Sequence, residues 1–310
     1  MKITKDFQVD EEFINSRLDR WLKTNVQKFP QSFIEKSIRS GRIKVNNNKI
    51  KSSYKLQYQD TINLNLLFDD SKKESEKFSY NASLDEFEKI KKNIIFENSD
   101  YMILDKPSGI AVQSGTKSPK NIIDTLNKFS KQKKYYLVHR IDKETSGILI
   151  FACNRLFAQN LSDQFKNKII NKQYLAILHG TIAHNEGRLE HNLSIKEKGR
   201  VKIFKAESDF FVISKNEHFS YIQASLITGR KHQLRQQFFK INHPIVGDDK
   251  YFLPNNRKSK YLMLHSYQLS FEYQKKIKTY KIDPPLEFKN FLKKINKKFG
   301  RMDRFNFKLL

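Results

Sequence analysis

The stretch Val138-His139-Arg140-Ile141-Asp142-Lys143-Glu144-Thr145-Ser146-Gly147 places one carboxylate directly after a basic and apolar run. Thr145-Ser146-Gly147 then forms turns readily, and Ile148-Leu149-Ile150-Phe151-Ala152 reads as a short buried strand. Asp142 is therefore expected on a tight loop feeding a core strand, where a rigid scaffold can present chemistry. A carboxylate so placed can attack an electrophilic carbon or stabilise developing positive charge. Arg140, two residues away, can help to keep it ionised. Taken alone, an aspartate at such a position also fits an ordinary turn or helix cap.

Three further runs carry suitable residue types. Lys106-Pro107-Ser108-Gly109 stops a predicted strand sharply. Lys172-Gln173-Tyr174-Leu175-Ala176 alternates as a strand, in which Tyr174 by itself reads as a core tyrosine. Thr228-Gly229-Arg230-Lys231-His232-Gln233-Leu234-Arg235 reads as a glycine turn leading into a helix through Phe239.

In this order the four runs resemble the RNA pseudouridine synthases that modify large-subunit ribosomal RNA. The matching patterns are Lys-Pro-x-Gly, His-Arg-Ile-Asp-x-x-Thr-Ser-Gly, Lys-x-Tyr-x-Ala and Thr-Gly-Arg-x-His-Gln-Leu-Arg, and separated matches in sequence make chance unlikely on the motif argument. The resemblance implies isomerisation of uridine to pseudouridine within RNA, with no cofactor and no metal. It implies that Asp142 is the catalytic carboxylate, Arg235 its counter-ion, and Tyr174 a ring packed on uracil and a candidate general base. Arg140 would enter the RNA stack when the target nucleotide flips. His139 and Arg230 are the remaining RNA-side candidates of the two loops. This chain has Gln236-Gln237 where the family usually shows Val-His, a difference expected to alter local RNA contacts rather than the chemistry. Gly247-Asp248-Asp249-Lys250-Tyr251 looks most like the C subgroup of the large-subunit enzymes.

Composition points the same way. The chain has 310 residues, with 59 Lys and Arg against 33 Asp and Glu, a net charge of +26. Such a field favours a polyanionic partner. No apolar run approaches the ~20 residues that span a bilayer, and Met1-Lys2-Ile3-Thr4-Lys5-Asp6 does not open a secretory signal. Cys153 is the only cysteine, which excludes internal disulfides and multi-cysteine zinc sites. The expected setting is the cytoplasm, and the expected form a monomer acting on RNA without membrane involvement. The expected target is 23S ribosomal RNA or a large-subunit assembly intermediate. A transfer-RNA synthase of the same fold is one alternative. A non-catalytic RNA-binding protein is the other, against which the joint presence of Asp142, Tyr174 and Arg235 argues.

The positioning elements are expected to form two parts. After a short arm or strand over residues 1–15, residues 16–68 read as a small module. Ser16 caps a helix with Leu18, Trp21, Leu22 and Val26 on one face, and Ser32-Phe33-Ile34-Glu35 opens a second helix as a capping box. Arg42–Val45 and Lys49–Lys51 pair around Asn46-Asn47-Asn48, and residues 60–64 close the module as a strand. The pattern resembles the small RNA-binding domain named after small-subunit ribosomal protein four, which implies an RNA-facing side. Arg17, Arg20, Lys36, Arg39 and Arg42 line that basic side. Residues 69–90 read as a charged linker followed by a helix opened by the Ser83–Glu86 capping box. Residues 91–310 form the expected catalytic domain. Its strands are expected at residues 93–97, 101–105, 148–152, 172–178, 201–205, 210–214, 221–227 and 262–271. Its helices are expected at 122–129, after Asn154, after Gly229 and after Pro285. The fold class is α+β: a small module joined to a mixed, mainly antiparallel sheet with flanking helices, as the pseudouridine synthase resemblance implies.

Overall fold

The computed structural model describes residues 2–26, 29–67, 80–115, 119–130, 133–197, 200–256 and 259–297. The expected linker over 69–77 lies outside the described residues. The chain divides into two compact units, Met1–Phe78 and Ser79–Leu310.

The smaller unit contains β1 (Lys2–Gln8), α1 (Leu18–Asn25), α2 (Gln31–Arg39), β2 (Ile43–Val45) and β3 (Thr61–Leu67). Its antiparallel sheet runs β1-β3-β2. The apolar faces predicted from helical spacing meet here: Leu18, Leu22 and Ile34 from the helices and Ile43, Ile62 and Leu64 from the strands are buried in one cluster.

Three local expectations need correction. The α1 N-cap is Arg17, not Ser16, whose backbone instead bonds to Phe13 and Leu56. The Ser32–Glu35 box does not form, because α2 starts at Gln31 after Pro30, placing Ser32 inside the helix. Glu35 accepts a bond from Gln31 Nε2 instead. Lys49–Lys51 is not a strand. Asn46 and Asn47 adopt left-handed φ values of 50° and 60°, and the Asn46 side chain is bonded to Asp60 and the Thr61 N–H. That tight turn sends the chain away from β2, which pairs with β3. Of the arm or strand expected over residues 1–15, Lys2–Gln8 forms a strand, and β1 pairs with β3 across its whole length.

The larger unit opens with α3 (Leu84–Lys91), whose Ser83–Glu86 capping box forms with both halves present. There follow β4 (Ile94–Glu97), β5 (Tyr101–Lys106), α4 (Ile122–Phe129), β6 (Tyr136–Leu137), β7 (Ser146–Ala152), α5 (Arg155–Lys166), β8 (Asn171–His179), β9 (Glu186–Glu197), β10 (Arg200–Lys215), β11 (Phe219–Leu226), α6 (Gln233–Lys240), β12 (Leu264–Tyr273), β13 (Lys276–Lys281) and α7 (Leu286–Lys297). The strands make one sheet in the order β4-β5-β7-β12-β8-β11-β10-β9, with β6 on β7 and β13 on β12. Among these described strands, only the β7–β12 pairing is parallel. The mixed, mainly antiparallel α+β fold is thus the one expected.

β7 is buried at every position. Leu149 and Phe151 point into the main core, while Ile148, Ile150 and Ala152 join a second cluster with Leu161 of α5 and Phe271 of β12. Burial on both faces explains why its apolar run is continuous rather than alternating. Asn154 caps α5 by accepting from the Phe157 N–H at 2.8 Å. No helix among the described residues is long and apolar enough to cross a membrane.

Candidate active site

Asp142 lies on the loop between β6 and β7. The loop closes on itself through the Thr145 N–H, which bonds to the Asp142 carbonyl at 3.1 Å. The Lys-Pro-x-Gly run then clamps it from outside. Lys106 Nζ donates to the carbonyls of Pro107, Ile110 and Lys143, at 2.7, 3.0 and 2.9 Å. Gly109 N–H also reaches Lys143 O, and Ser108 Oγ donates to Glu144 O at 2.7 Å. Lys106 is fully buried, and that burial pushes its pKa down to about 7, with Glu144, Asp142 and Asp105 opposing the fall. Three carbonyls match the three donors of an ammonium. This run therefore braces the loop that carries Asp142.

The other end of the loop is fixed to β12. Gly147 has φ +103°, and a Cβ there would lie 2.2 Å from the Ser266 carbonyl oxygen, so only glycine permits the close β7–β12 approach. Ser146 Oγ lies 2.9 Å from His265 Nδ1, and His265 Nε2 lies 2.9 Å from the Ile282 carbonyl. A carbonyl only accepts, so Nε2 carries the hydrogen and the serine hydroxyl donates to Nδ1. Burial pushes the pKa of His265 down to about 4.

His139, an RNA-side candidate by sequence, is committed to the fold instead. Its Nε2 accepts the Ile150 N–H at 3.0 Å and its ring stacks on Phe165 at 4.9 Å. Burial, assisted by Lys172, pushes its pKa down to about 3, so the ring is neutral. Arg140, the next residue, is exposed on the cavity rim.

Arg235 projects from α6 and is 4 % exposed. Its Nη1 lies 3.8 Å from Asp142 Oδ2, so the two residues matched by motif do come together. The two-pronged grip of the guanidinium goes elsewhere, however. Nε and Nη2 each reach Asp248 at 2.7 Å, and Nη2 also reaches Asp249 at 3.1 Å. Burial opposes the charge of Arg235, but the bonds to Asp248 and the nearby carboxylates outweigh it and hold the guanidinium firmly protonated. Asp248 is tied in turn to the N–H groups of Lys250 and Tyr251. The Gly247–Tyr251 run, which by sequence marks only a subgroup, thus orients the arginine beside the loop carboxylate.

His232 begins α6 in the left-handed region, with φ 53°. Its Nε2 is 3.9 Å from Asp142 Oδ1, and its Nδ1 is 3.2 Å from the Tyr251 hydroxyl. A non-glycine residue held in that conformation beside the Asp142 carboxylate is the kind of strain that marks functional sites. Tyr174 stands on β8, paired with Ala224 of β11 and Ser266 of β12. Burial, with Asp142 nearby, pushes its phenol well above the usual tyrosine range. At neutral pH it therefore presents a protonated phenol to the cavity.

These groups line one cavity of 340 Å³, together with Ile141, Lys172, Leu226, Gly229 and Leu264. That volume lies in the range of small-ligand sites. Arg230 is exposed at its edge, over the Phe204 ring at 5.1 Å and bonded to Lys205 O. Gln233 holds the turn before α6, accepting from Thr228 Oγ1 and the Arg230 N–H. Of the Gln236-Gln237 departure, Gln236 donates to the Lys231 carbonyl at the surface, at 2.8 Å, and Gln237 turns inward. Gln237 is fully buried and bonded to Ser208, Leu189 and Ala206, where it fastens α6 to β9 and β10.

In the smaller unit Arg20, Lys36, Arg39 and Arg42 are exposed. Arg17 is also exposed but bridges to Asp19 at 3.0 and 2.7 Å, so part of its charge is already matched.

Comparison with known proteins agrees with this geometry. Residues 100–240 match the family described as RNA pseudouridylate synthase. The chain is 30% identical over 302 residues to Ribosomal large subunit pseudouridine synthase C of Pasteurella multocida (strain Pm70), covering 91% of this chain and 90% of that protein. It is 31% identical over 316 residues to the protein of the same description from Buchnera aphidicola subsp. Baizongia pistaciae (strain Bp), covering 94% and 98%. Among solved structures, Human RNA Pseudouridylate Synthase Domain Containing 4 shares the fold with a TM-score of 0.59 at 21% identity, over 68% of this chain and 95% of that one. A cavity that gathers the motif residues on this sheet, and relatives that match nearly end to end, make the chain a member of the RNA pseudouridylate synthase family.

Proposed function

We propose that this protein isomerises specific uridines to pseudouridine in large-subunit ribosomal RNA, with Asp142 as the catalytic carboxylate. The observation that carries the reading is the juxtaposition of Asp142, Arg235 and Tyr174 in one cavity, in a chain whose near-full-length relatives are described as ribosomal large subunit pseudouridine synthase C. The reaction breaks the bond from ribose C1′ to uracil N1, turns the base, and forms a bond from C1′ to C5. Asp142 attacks the sugar C1′ or the uracil ring, or stabilises positive charge developing on the sugar. Arg235, oriented by Asp248, places a cation beside the carboxylate. Tyr174 packs on the base. Arg140 on the rim takes the place of the flipped nucleotide in the RNA stack.

The smaller unit serves as an RNA-binding module of the ribosomal-protein-four type, with Arg20, Lys36, Arg39 and Arg42 as its phosphate contacts. Two helices on a three-stranded sheet with an exposed basic side support that role. The protein works as a monomer in the cytoplasm, on ribosomal RNA or a large-subunit assembly intermediate. The test is pseudouridine mapping of ribosomal RNA from cells with and without the protein. Loss of signal at discrete large-subunit positions is expected. Loss confined to transfer RNA would favour the other substrate class.

A further inference from the structure

Arg235 is surrounded by Asp142, Asp248 and Asp249, so its charge is already matched. A second cation lines the same cavity without such a partner. Lys172 stands on β8 two residues before Tyr174, and strand alternation puts both on one face. Its ammonium lies 5.5 Å from the Phe165 ring centroid. It also reaches the Thr228–Arg230 turn, since a Cβ added at Gly229 would lie 3.5 Å from Nζ. Among the described residues no carboxylate is within ion-pair distance of it. Burial pushes its pKa below the usual lysine range. A half-buried ammonium without a carboxylate is costly unless a ligand supplies negative charge.

The reaction supplies that charge. When the C1′–N1 bond breaks, its electron pair leaves with the base, and the uracil becomes an anion delocalised over N1 and the two carbonyl oxygens. A carboxylate such as Asp142 cannot stabilise a second negative charge there. C5 then attacks C1′, the C5 proton leaves, and N1 takes up a proton, so no further reactant is needed. We propose that Lys172 is a catalytic residue whose ammonium stabilises the negative charge on the departing uracil. The inference rests on the synthase reading of the cavity. It explains why a lysine two residues before the packing tyrosine is held in an apolar wall beside Phe165, without a carboxylate.

The experiment compares wild type, Lys172→Met and Lys172→Arg in single-turnover assays. The substrate is an RNA fragment carrying the mapped target as uridine or as 5-fluorouridine, and consumption of the target nucleoside is measured. Lys172→Met should lower the rate at saturating RNA by about 100-fold, in the range of lost transition-state stabilisation. RNA affinity and its salt dependence should stay as in wild type. Lys172→Arg should recover most of the rate. With 5-fluorouridine, whose fluorine already stabilises the ring anion, the Met variant's deficit should be about tenfold smaller, equivalent to roughly 1.4 kcal/mol less dependence on the cation.

A Met variant within threefold of wild type would overturn the proposal. So would equal deficits on both nucleosides, which would mark a structural role. Weaker RNA binding with a salt slope lower by about one and a normal saturated rate would identify a phosphate contact instead. If Lys172→Met fails to fold by thermal melt, Lys172→Gln replaces it and the same ratios decide. Failure of the wild type to convert uridine would overturn the synthase reading itself, and this inference with it.

Discussion

Arg235 grips Asp248 with two bonds of 2.7 Å while its third nitrogen stands 3.8 Å from Asp142. The fork is thus spent on a carboxylate whose side chain is fully buried, and the loop carboxylate receives a directed charge at longer range. A carboxylate that must react benefits from a cation close enough to keep it ionised, yet not bound so tightly that both oxygens are occupied.

Asp248→Asn should therefore damage catalysis although Asp248 does not face the cavity. Removing its charge leaves Arg235 buried with half its pairing gone, at a cost of about 3 kcal/mol in stability. The saturated single-turnover rate should fall with RNA affinity retained. Urea denaturation and the assay check the two parts. Wild-type behaviour in both would remove Asp248 from the arrangement.

Arg235→Lys keeps the charge but cannot span Asp248 and Asp142 together, because a single ammonium lacks the planar fork. Activity should stay well below wild type, by about 100-fold if the directed donor is removed altogether. Equal single-turnover rates for the Lys variant and wild type would show that charge alone suffices.

The burial of His265 makes stability depend on acid. His265 is held at about 4, against 6.5 for an ordinary histidine. Above pH 6.5 neither folded nor unfolded chain is protonated there, and nothing is lost. Below it the unfolded chain binds a proton that the folded one refuses, so stability falls as pH drops from 6.5 toward 4, by about 1.4 kcal/mol per unit from this residue. His139 adds to the trend in the same direction. Denaturation midpoints measured across that window should slope downward toward acid, and less steeply in His265→Gln. Identical slopes would exclude His265 as a contributor.

Arg20, Lys36, Arg39 and Arg42 should act as a group. Replacing all four with alanine should weaken RNA binding and lower the slope of log affinity against log salt by about 0.9 for each phosphate no longer neutralised. The saturated rate should be untouched, because the cavity residues all lie in the other unit. Filter-binding titrations at several salt concentrations measure the slope, and an unchanged slope would place the RNA footprint elsewhere.

Much of the larger unit is legible in the sequence because its signals are local. The continuous apolar run of β7, the Asn154 cap and the Ser83–Glu86 box each need only neighbouring residues. β9 escapes a sequence reading because its inward residues, Leu189, Leu193 and Ile195, alternate with polar ones in a run that otherwise reads as surface. β13 escapes it because that strand is largely exposed. In the smaller unit Lys49–Lys51 looks like a returning strand, but the partner chosen by β2 lies far along the chain in β3. The site is legible as motifs and not as contacts. Nothing in the spacing says that Lys106 would clamp Lys143, that Asp248 would take the fork of Arg235, or that His139 would bond to Ile150. Each of those pairings is made by the sheet, which brings distant loops to one end.

The most direct measurement is the single-turnover rate of Asp142→Asn on ribosomal RNA carrying the mapped target. The change is nearly isosteric and removes one negative charge from the cavity. Pseudouridine formation should fall below detection while RNA binding and the thermal melt stay close to wild type. A residual rate within about tenfold of wild type, a barrier change of only some 1.4 kcal/mol, would contradict the assignment of Asp142 as the catalytic carboxylate.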